Sequence, residues 1–383
     1  MNKSTTALAV LTSLGLWQPI DASAAGFIDD SDGMLDMSQY LSENRYGFLP
    51  VPVVITEPAV GYGGGLFGLF LHETADSEAS KTRPDARAIP PAITAFGGGA
   101  TQNGTWFVGG GHRHTWNNDS IRYLVGLGYA NVNIDLYSGD IAGFESGKGI
   151  STQTTGYGGM QKLSFRVADT PFFLGGSQVY ANMKVTADNK LINRTFQRVL
   201  GEESSTSGVG LLMEYDTTDN FFYPHSGLSA TAEYQFYSSF LGGDYRYDML
   251  VIDGKYFQPL SADFTLALAG NYQSLTNHDS HLPPMVRPYI SLRGISRYRY
   301  QGDYVGTVQT QLAWQMTPRW VLQGFVGAGS AENDADDIFQ TAEVAWGGGF
   351  RYLIAREYGL HTGIDVAFSD DEQAVYFNVG AGL

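Results

Sequence analysis

The 383-residue sequence contains no cysteine. That removes disulfide frameworks, thiolate zinc sites and cysteine nucleophiles together, and it suits an oxidising compartment. Charge is also scarce, at 16% of residues, and cations are the minority, with 23 Lys and Arg against 39 Asp and Glu and a net charge of −16. Such a surface repels phosphates, so nucleic acid is excluded as a partner. Beyond the N-terminus no run approaches the roughly 18 apolar residues of a membrane helix, which excludes a helical membrane protein. No G-x-S-x-G or H-E-x-x-H occurs. His112 and His114 share a face without a third ligand or base at recognisable spacing, and Glu332, Asn333, Asp334, Asp336 and Asp337 read as a solvated acidic loop rather than a calcium site. No enzymatic activity, cofactor or metal is expected.

Glycine, tyrosine and phenylalanine are plentiful, at 48, 23 and 22 residues. From about residue 49 onward they fall in stretches with a period of two. Leu360, Thr362, Ile364, Val366 and Phe368 oppose His361, Gly363, Asp365 and Ala367. Phe264, Leu266, Leu268 and Tyr272 oppose Thr265, Ala267, Asn271 and Gln273. A soluble sandwich would put many Lys and Glu on its second face, whereas Gly, Gln, Asn and Thr suit a lumen with the apolar face toward lipid. Open sheet edges cannot face hydrocarbon, so the sheet must close. The expectation is an all-β, transmembrane antiparallel β-barrel. Trp106, Trp116, Tyr137, Tyr245, Tyr247, Tyr304, Trp314, Trp320, Tyr352 and Tyr358, near strand ends, would form the interfacial girdle.

Turn chemistry divides 49–383 into sixteen strands, with a tight hairpin at Thr56-Glu57-Pro58 and long connections at 73–90, 138–149, 187–205 and about 277–303. A phase slip, from Tyr123, Val125, Leu127 and Tyr129 to Val132, Ile134 and Leu136, predicts a bulge near Ala130. Ahead of the barrel, Lys3, the apolar run Ala7–Trp17 and Ala22-Ser23-Ala24 read as a signal peptide over 1–24. Residues 25–48 are too few for a domain. Within them Met34, Leu35, Met37, Tyr40 and Leu41 suggest one short helix, either plugging the lumen or lying at the inner membrane face.

Two segments carry a resemblance. Tyr289–Tyr300 reads Y-I-S-L-R-G-I-S-R-Y-R-Y, five strands before the end, and Asp216–Gly227 reads D-T-T-D-N-F-F-Y-P-H-S-G. The first resembles the Arg-Gly signature of the sixth extracellular loop in the BamA/TamA outer-membrane assembly-factor superfamily, and the second resembles that family's periplasmic turn. The likeness implies that the long sixth loop folds into the lumen, with Arg293 and Gly294 as the signature pair and Arg297 and Tyr298 beside them. Asp365 and Glu343, on the small-polar faces of their strands, are the candidate wall partners. Gly327 stands where family members often carry an aspartate. In the turn, Asp216, Thr217, Asp219, Asn220, Pro224 and Gly227 are the matching positions, and side-chain capping of turn N–H groups makes it a folding element. Thr218 and Ser226 replace arginines frequent in the family. Residues 25–48 cannot form a periplasmic domain of the polypeptide-transport-associated (POTRA) type, so the sequence looks like a short form without them.

The closing seam would join residues 49–56 to 375–383. Pro50 and Pro52 lack N–H donors, and Gly380 and Gly382 lie in the last strand, so the seam should be weak. In the resembled family an openable seam passes protein strands or lipids between lumen and bilayer. The expected function is therefore outer-membrane assembly, or insertion or translocation of protein or lipid, in the outer membrane of a Gram-negative-type cell. Outer-membrane lipids and outer-membrane proteins are the expected partners, and the apolar outer face also admits a homo-oligomer. A porin-like diffusion channel or a structural outer-membrane protein is the alternative.

Overall fold

Alternation along the chain produces one sheet whose order equals the sequence order. In the computed structural model, residues 27–43, 47–56, 59–72, 74, 76–77, 89–136, 150–187, 190, 193–194, 197, 203–279, 281–370 and 372–383 are described. The signal peptide, Glu57-Pro58 of the first hairpin and Tyr137 lie outside them. A short helix, α1 (Ser38–Glu43), precedes β1 (Gly47–Ile55), β2 (Gly63–His72), β3 (Ala92–Thr101), β4 (Trp106–Trp116), β5 (Ile121–Leu136), β6 (Ile150–Arg166), β7 (Phe172–Ala187) and β8 (Ser204–Asp216). The second half comprises β9 (Gly227–Tyr237), β10 (Tyr247–Pro259), β11 (Phe264–Asn277), β12 (Tyr304–Gln315), β13 (Trp320–Glu332), β14 (Glu343–Ala355), β15 (Leu360–Ser369) and β16 (Gln373–Val379). Every sequential pair is antiparallel, giving a nearly closed barrel. The end where β1 starts and β16 stops is periplasmic in the orientation the resemblance implies.

The two faces differ as the pattern requires. Leu66, Phe96, Leu127, Leu211, Val308 and Trp346 are exposed on the outside, while Asp365, Arg351, Gln311 and Gln323 are buried inside. Trp106, Trp116, Trp314 and Trp320 are exposed near strand ends, as a girdle needs. Three tyrosines grouped with them face inward instead. Tyr245 and Tyr247 pack with Tyr237 and Leu275, and Tyr358 packs with Leu41, Leu49 and Leu360. Periodicity alone could not separate them, because a phenol near a strand end suits either side of the wall.

The bulge expected near Ala130 is absent: β5 pairs without interruption with β4 and with β6. The phase slip has another cause. Sixteen residues rise about 50 Å, or roughly 40 Å at the tilt of a barrel strand, while the apolar band is only about 25 Å tall. Within the band the outward residues are Leu127 and Tyr129, both exposed; above it the outward positions pass to Asn131, Asn133 and Asp135, and Ile134 turns inward and is buried. Outward polarity changes with the surrounding solvent while the backbone register does not. An irregularity does occur in β14, between Leu353 and Ala355 against β15.

Candidate functional site

The segment between β11 and β12 leaves the rim and meets the inward faces of β12, β13, β15 and β16. Arg293 donates from Nη1 to Asp365 Oδ2 at 2.6 Å and from Nη2 to Gln311 Oε1 at 3.0 Å, with its guanidinium 3.5 Å from the centre of the Phe325 ring. Gly294 has φ +96°, and a Cβ there would sit 3.1 Å from the backbone of Phe368. Its N–H donates to the Tyr376 hydroxyl at 3.0 Å, and its carbonyl accepts from Ser369 Oγ at 2.8 Å. Only glycine combines that backbone angle with so close an approach to the wall. Nearer the rim, Glu372 accepts from Ser296 N, Ser296 Oγ and Arg299 Nη1 at 2.7, 2.6 and 2.7 Å. Tyr298, at φ +63°, packs against Tyr289 with ring centres 4.5 Å apart, and Arg297 is exposed to a cavity of about 490 Å³.

Asp365 is the node of this network. It is fully buried and receives Arg351 in a two-pronged pair, Nη1 to Oδ1 at 2.7 Å and Nη2 to Oδ2 at 2.8 Å. Gln323 and Asn378 donate to it as well, at 3.1 and 2.8 Å. One carboxylate thus joins β13, β14, β15 and β16 to the loop. Glu343, the other candidate, lies at the first residue of β14, six positions above Gly349, the residue paired with Asp365. The structure records no contact between it and Arg293. Gly327 and Gly329 explain the missing wall aspartate: they form a shelf for the loop, where a Cβ would come within 3.1 Å of Leu292 and 2.6 Å of Ile290. Arg351, Gln311, Gln323, Asn378 and Glu372 were not legible as loop partners, since only strand register brings them together.

The turn from Asp216 to Gly227 caps itself and reaches across the lumen. Asp216 accepts from the N–H and hydroxyl of Thr218, and also pairs with Arg122 at 3.1 Å. Asp219 accepts from the backbone N–H groups of His225 and Ser226, and Asn220 from those of Phe222 and Tyr223. Thr217 bonds Leu228 through its hydroxyl, while Gly227, at φ +105°, passes hard against the Thr217 carbonyl. Pro224 lies on a lumen cavity of about 720 Å³. Tyr223 stacks on His361 of β15 with ring centres 4.1 Å apart and packs with Ala313 and Val321.

At the seam, Pro50 and Pro52 stand opposite Gly68 and Leu66 in an unbroken ladder with β2. Because alternate residues of a strand donate to opposite edges, that ladder places the donors the prolines lack on the edge facing β16. Among the described residues no ladder joins β1 to β16. The Thr56 hydroxyl bridges to Val375, accepting from its N–H at 2.7 Å and donating to its carbonyl. Gly380 and Gly382, expected within the seam strand, lie outside it. Their φ values of +90° and +78° take the chain off β16 after Val379 and into the lumen. There Arg351 Nε donates to the Gly380 carbonyl at 3.1 Å and Lys255 Nζ to the Leu383 carbonyl at 2.5 Å.

The N-terminal segment lies against the end of the barrel where β1 starts. Arg319, only 2% exposed, pairs with Asp29, Asp32 and Asp36 at 2.6, 2.7 and 2.5 Å, and Arg356 adds pairs to Asp29 and Asp32. Hydrogen bonds from Ser31, above all its side chain, hold the Asp29 carboxyl below its ordinary range; the bond from Arg319 does so at Asp32. At Asp36 burial pushes upward, and bonds from Ser38 and Arg319 outweigh it. Leu41 on α1 then packs against Leu49 and Leu71 of β1 and β2 and against Ala355 and Leu360 of β14 and β15. The segment therefore touches both sides of the unzipped seam. The helix is shorter than the sequence suggests: Leu35 forms an isolated antiparallel bridge with Ile28, Met34 and Met37 also lie ahead of the helix, and Met34 and Leu35 are exposed.

A sixteen-stranded antiparallel barrel with an apolar outside, a polar inside and a loop pinned to its inner wall defines a barrel of the outer-membrane type. Residues 122–291 match the Omp85 superfamily domain, so this stretch of the chain is similar to that superfamily. Its fold is similar to that of BamA from Haemophilus ducreyi lacking POTRA domains 1–3, with a TM-score of 0.53 at 12% identity over 88% of this chain and 70% of that one. It is also similar to CdiB from Escherichia coli, with a TM-score of 0.57 at 13% identity over 86% of this chain and 61% of that one. For CdiB from Acinetobacter baumannii the TM-score is 0.54 at 13% identity, over 87% and 59%. The chain thus spans less than two thirds of either CdiB chain. No curated protein matches it in sequence.

Proposed function

We propose that this barrel resides in the outer membrane after loss of residues 1–24 and acts without chemical catalysis, passing protein strands or lipid between lumen and bilayer through the seam of β1 and β16. The observation that carries this is the contrast in pairing. All other neighbouring strands share ladders, interrupted among the described residues only by the irregularity between Leu353 and Ala355 of β14, whereas the Thr56 hydroxyl bridges to Val375 at a junction without one. Each ladder hydrogen bond contributes about 1 kcal/mol net, more where lipid replaces water, so an unzipped seam opens at a fraction of the cost of any other junction. The clamp of Arg319 with three aspartates and the apolar seat of Leu41 span both sides of the seam, and in this reading they hold it shut at rest. Asp365 and Arg293 keep the loop against the seam-side wall.

The channel alternative is disfavoured by what fills the lumen. The Arg293 loop enters from one end, the turn carrying Tyr223 from the other, and residues 380–383 lie between. Planar-bilayer conductance discriminates: large stable steps would favour a pore. The seam itself is tested with the pair Thr56→Cys and Val375→Cys, in a chain with no other cysteine. Oxidation is expected to abolish function in a cell that depends on the protein, with reduction restoring it. Full crosslinking without phenotype would remove the gate from the mechanism.

A further inference from the structure

The outer wall of β2, β3 and β4 carries a polar row near its periplasmic end that the seam does not use. Phe96, Val108 and Trp116 are 57%, 52% and 41% exposed and fix which face is outward. By alternation, Thr94, His112 and His114 share that face, whereas Arg113 points inward over Phe221 at 4.3 Å and Thr115 is buried. His72 Nε2 bonds the Thr94 hydroxyl at 3.0 Å, and that hydroxyl bonds His112 Nδ1 at 2.8 Å. The His112 and His114 rings lie 5.8 Å apart, and His114 lies 4.3 Å from Trp116. Imidazoles on a lipid-facing wall are costly unless their nitrogens find partners, and such groups mark sites. Among the described residues nothing bonds His112 Nε2 or either nitrogen of His114. Directly beyond the strand end, the Asp76 carboxylate accepts from Asn118 N, two residues past Trp116, at 3.1 Å.

We propose that this face is a binding site for a zwitterionic glycerophospholipid with a primary ammonium headgroup. The headgroup phosphate accepts N–H bonds from His112 and His114, the ammonium lies against Asp76, and an acyl chain runs along the Phe70 and Phe96 rings, whose centres are 5.4 Å apart. Position and charge select this occupant. Trp116, closing β4, lies where the headgroup layer begins, and donors beside one carboxylate match a zwitterion better than an anionic headgroup. A metal ion is the competing occupant, although no cluster with metal-holding geometry exists among the described residues.

The inference rests on the membrane reading, and the test separates the two. The full chain, purified in detergent, is offered equal amounts of phosphatidylethanolamine and phosphatidylglycerol and examined by native mass spectrometry, with heat-modifiable gel mobility reporting the folded barrel. The expected result is at least five-fold preferential retention of phosphatidylethanolamine, lost in the double variant His112→Phe/His114→Phe. Asp76→Asn is expected to level the two lipids. Equal retention by the folded double variant would overturn the site, as would a zinc adduct that this variant loses while its lipid retention is unchanged. Fractionation of the protein away from membranes would instead sink the membrane reading.

Discussion

Replacing Asp365 by Asn keeps the shape of the side chain and removes the charge that two guanidinium groups share. Arg351 and Asp365 are both 0% exposed, and Arg293 is 11% exposed. Leaving a buried charge without its counter-ion costs about 3–5 kcal/mol, which is the expected loss for Asp365→Asn. Arg293→Met keeps the packing on Phe325 and leaves Asp365 paired with Arg351, so it forfeits chiefly one charge-assisted bond, about 1.5–3 kcal/mol. The two variants should therefore separate. Both release the loop, read as faster maleimide labelling of Ser291→Cys, but only Asp365→Asn also weakens the joint between β14 and β15, read as a lower midpoint of unfolding in detergent. If Asp365→Asn cost no more than Arg293→Met, the carboxylate would not be the shared node and the account of the loop would fail.

The N-terminal clamp should depend on pH. Asp29, Asp32 and Asp36 are held below their ordinary range, so the stabilisation is complete above the unfolded value of about 4 and is lost as pH falls through the lowered folded values. Hydrogen exchange of residues 27–43 should stay slow from neutrality to about pH 4 and accelerate only below it; acceleration beginning near pH 6 would contradict the assignment. Arg319→Gln should free the same segment at neutral pH and raise seam opening, measured as slower crosslinking of the Thr56/Val375 cysteine pair. Gly294→Ala must adopt φ +96° while pressing a methyl on the Phe368 backbone, a cost of about 1–3 kcal/mol. It should lower the unfolding midpoint in detergent, and an unchanged midpoint would contradict the close approach. Gly329→Val places a branched side chain against Ile290 and should lift the loop from its shelf, detected by the same Ser291→Cys labelling.

Strand identity, count and facing were legible because they are local: a period of two needs only neighbouring residues, and the change from lysine-poor inner faces to apolar outer ones states which solvent each meets. The sequence by itself determined a sixteen-stranded barrel with a loop bearing Arg293 and Gly294 and a first strand short of donors at Pro50 and Pro52. It could not choose between Asp365 and Glu343, since each lies on a small-polar face and only the register of β14 with β15 sets their depth. Nor could it place Gly380 and Gly382, whose left-handed backbone turns the chain into the lumen where Arg351 binds its carbonyls. The Arg319 clamp joins residues 287 positions apart, Tyr245 and Tyr247 pack inside with Tyr237 and Leu275 of the neighbouring strands, and Tyr358 packs with Leu41 and Leu49 from the other end of the chain. Tertiary structure alone decided these contacts, because closing a sheet into a cylinder brings together side chains that no spacing along the chain relates.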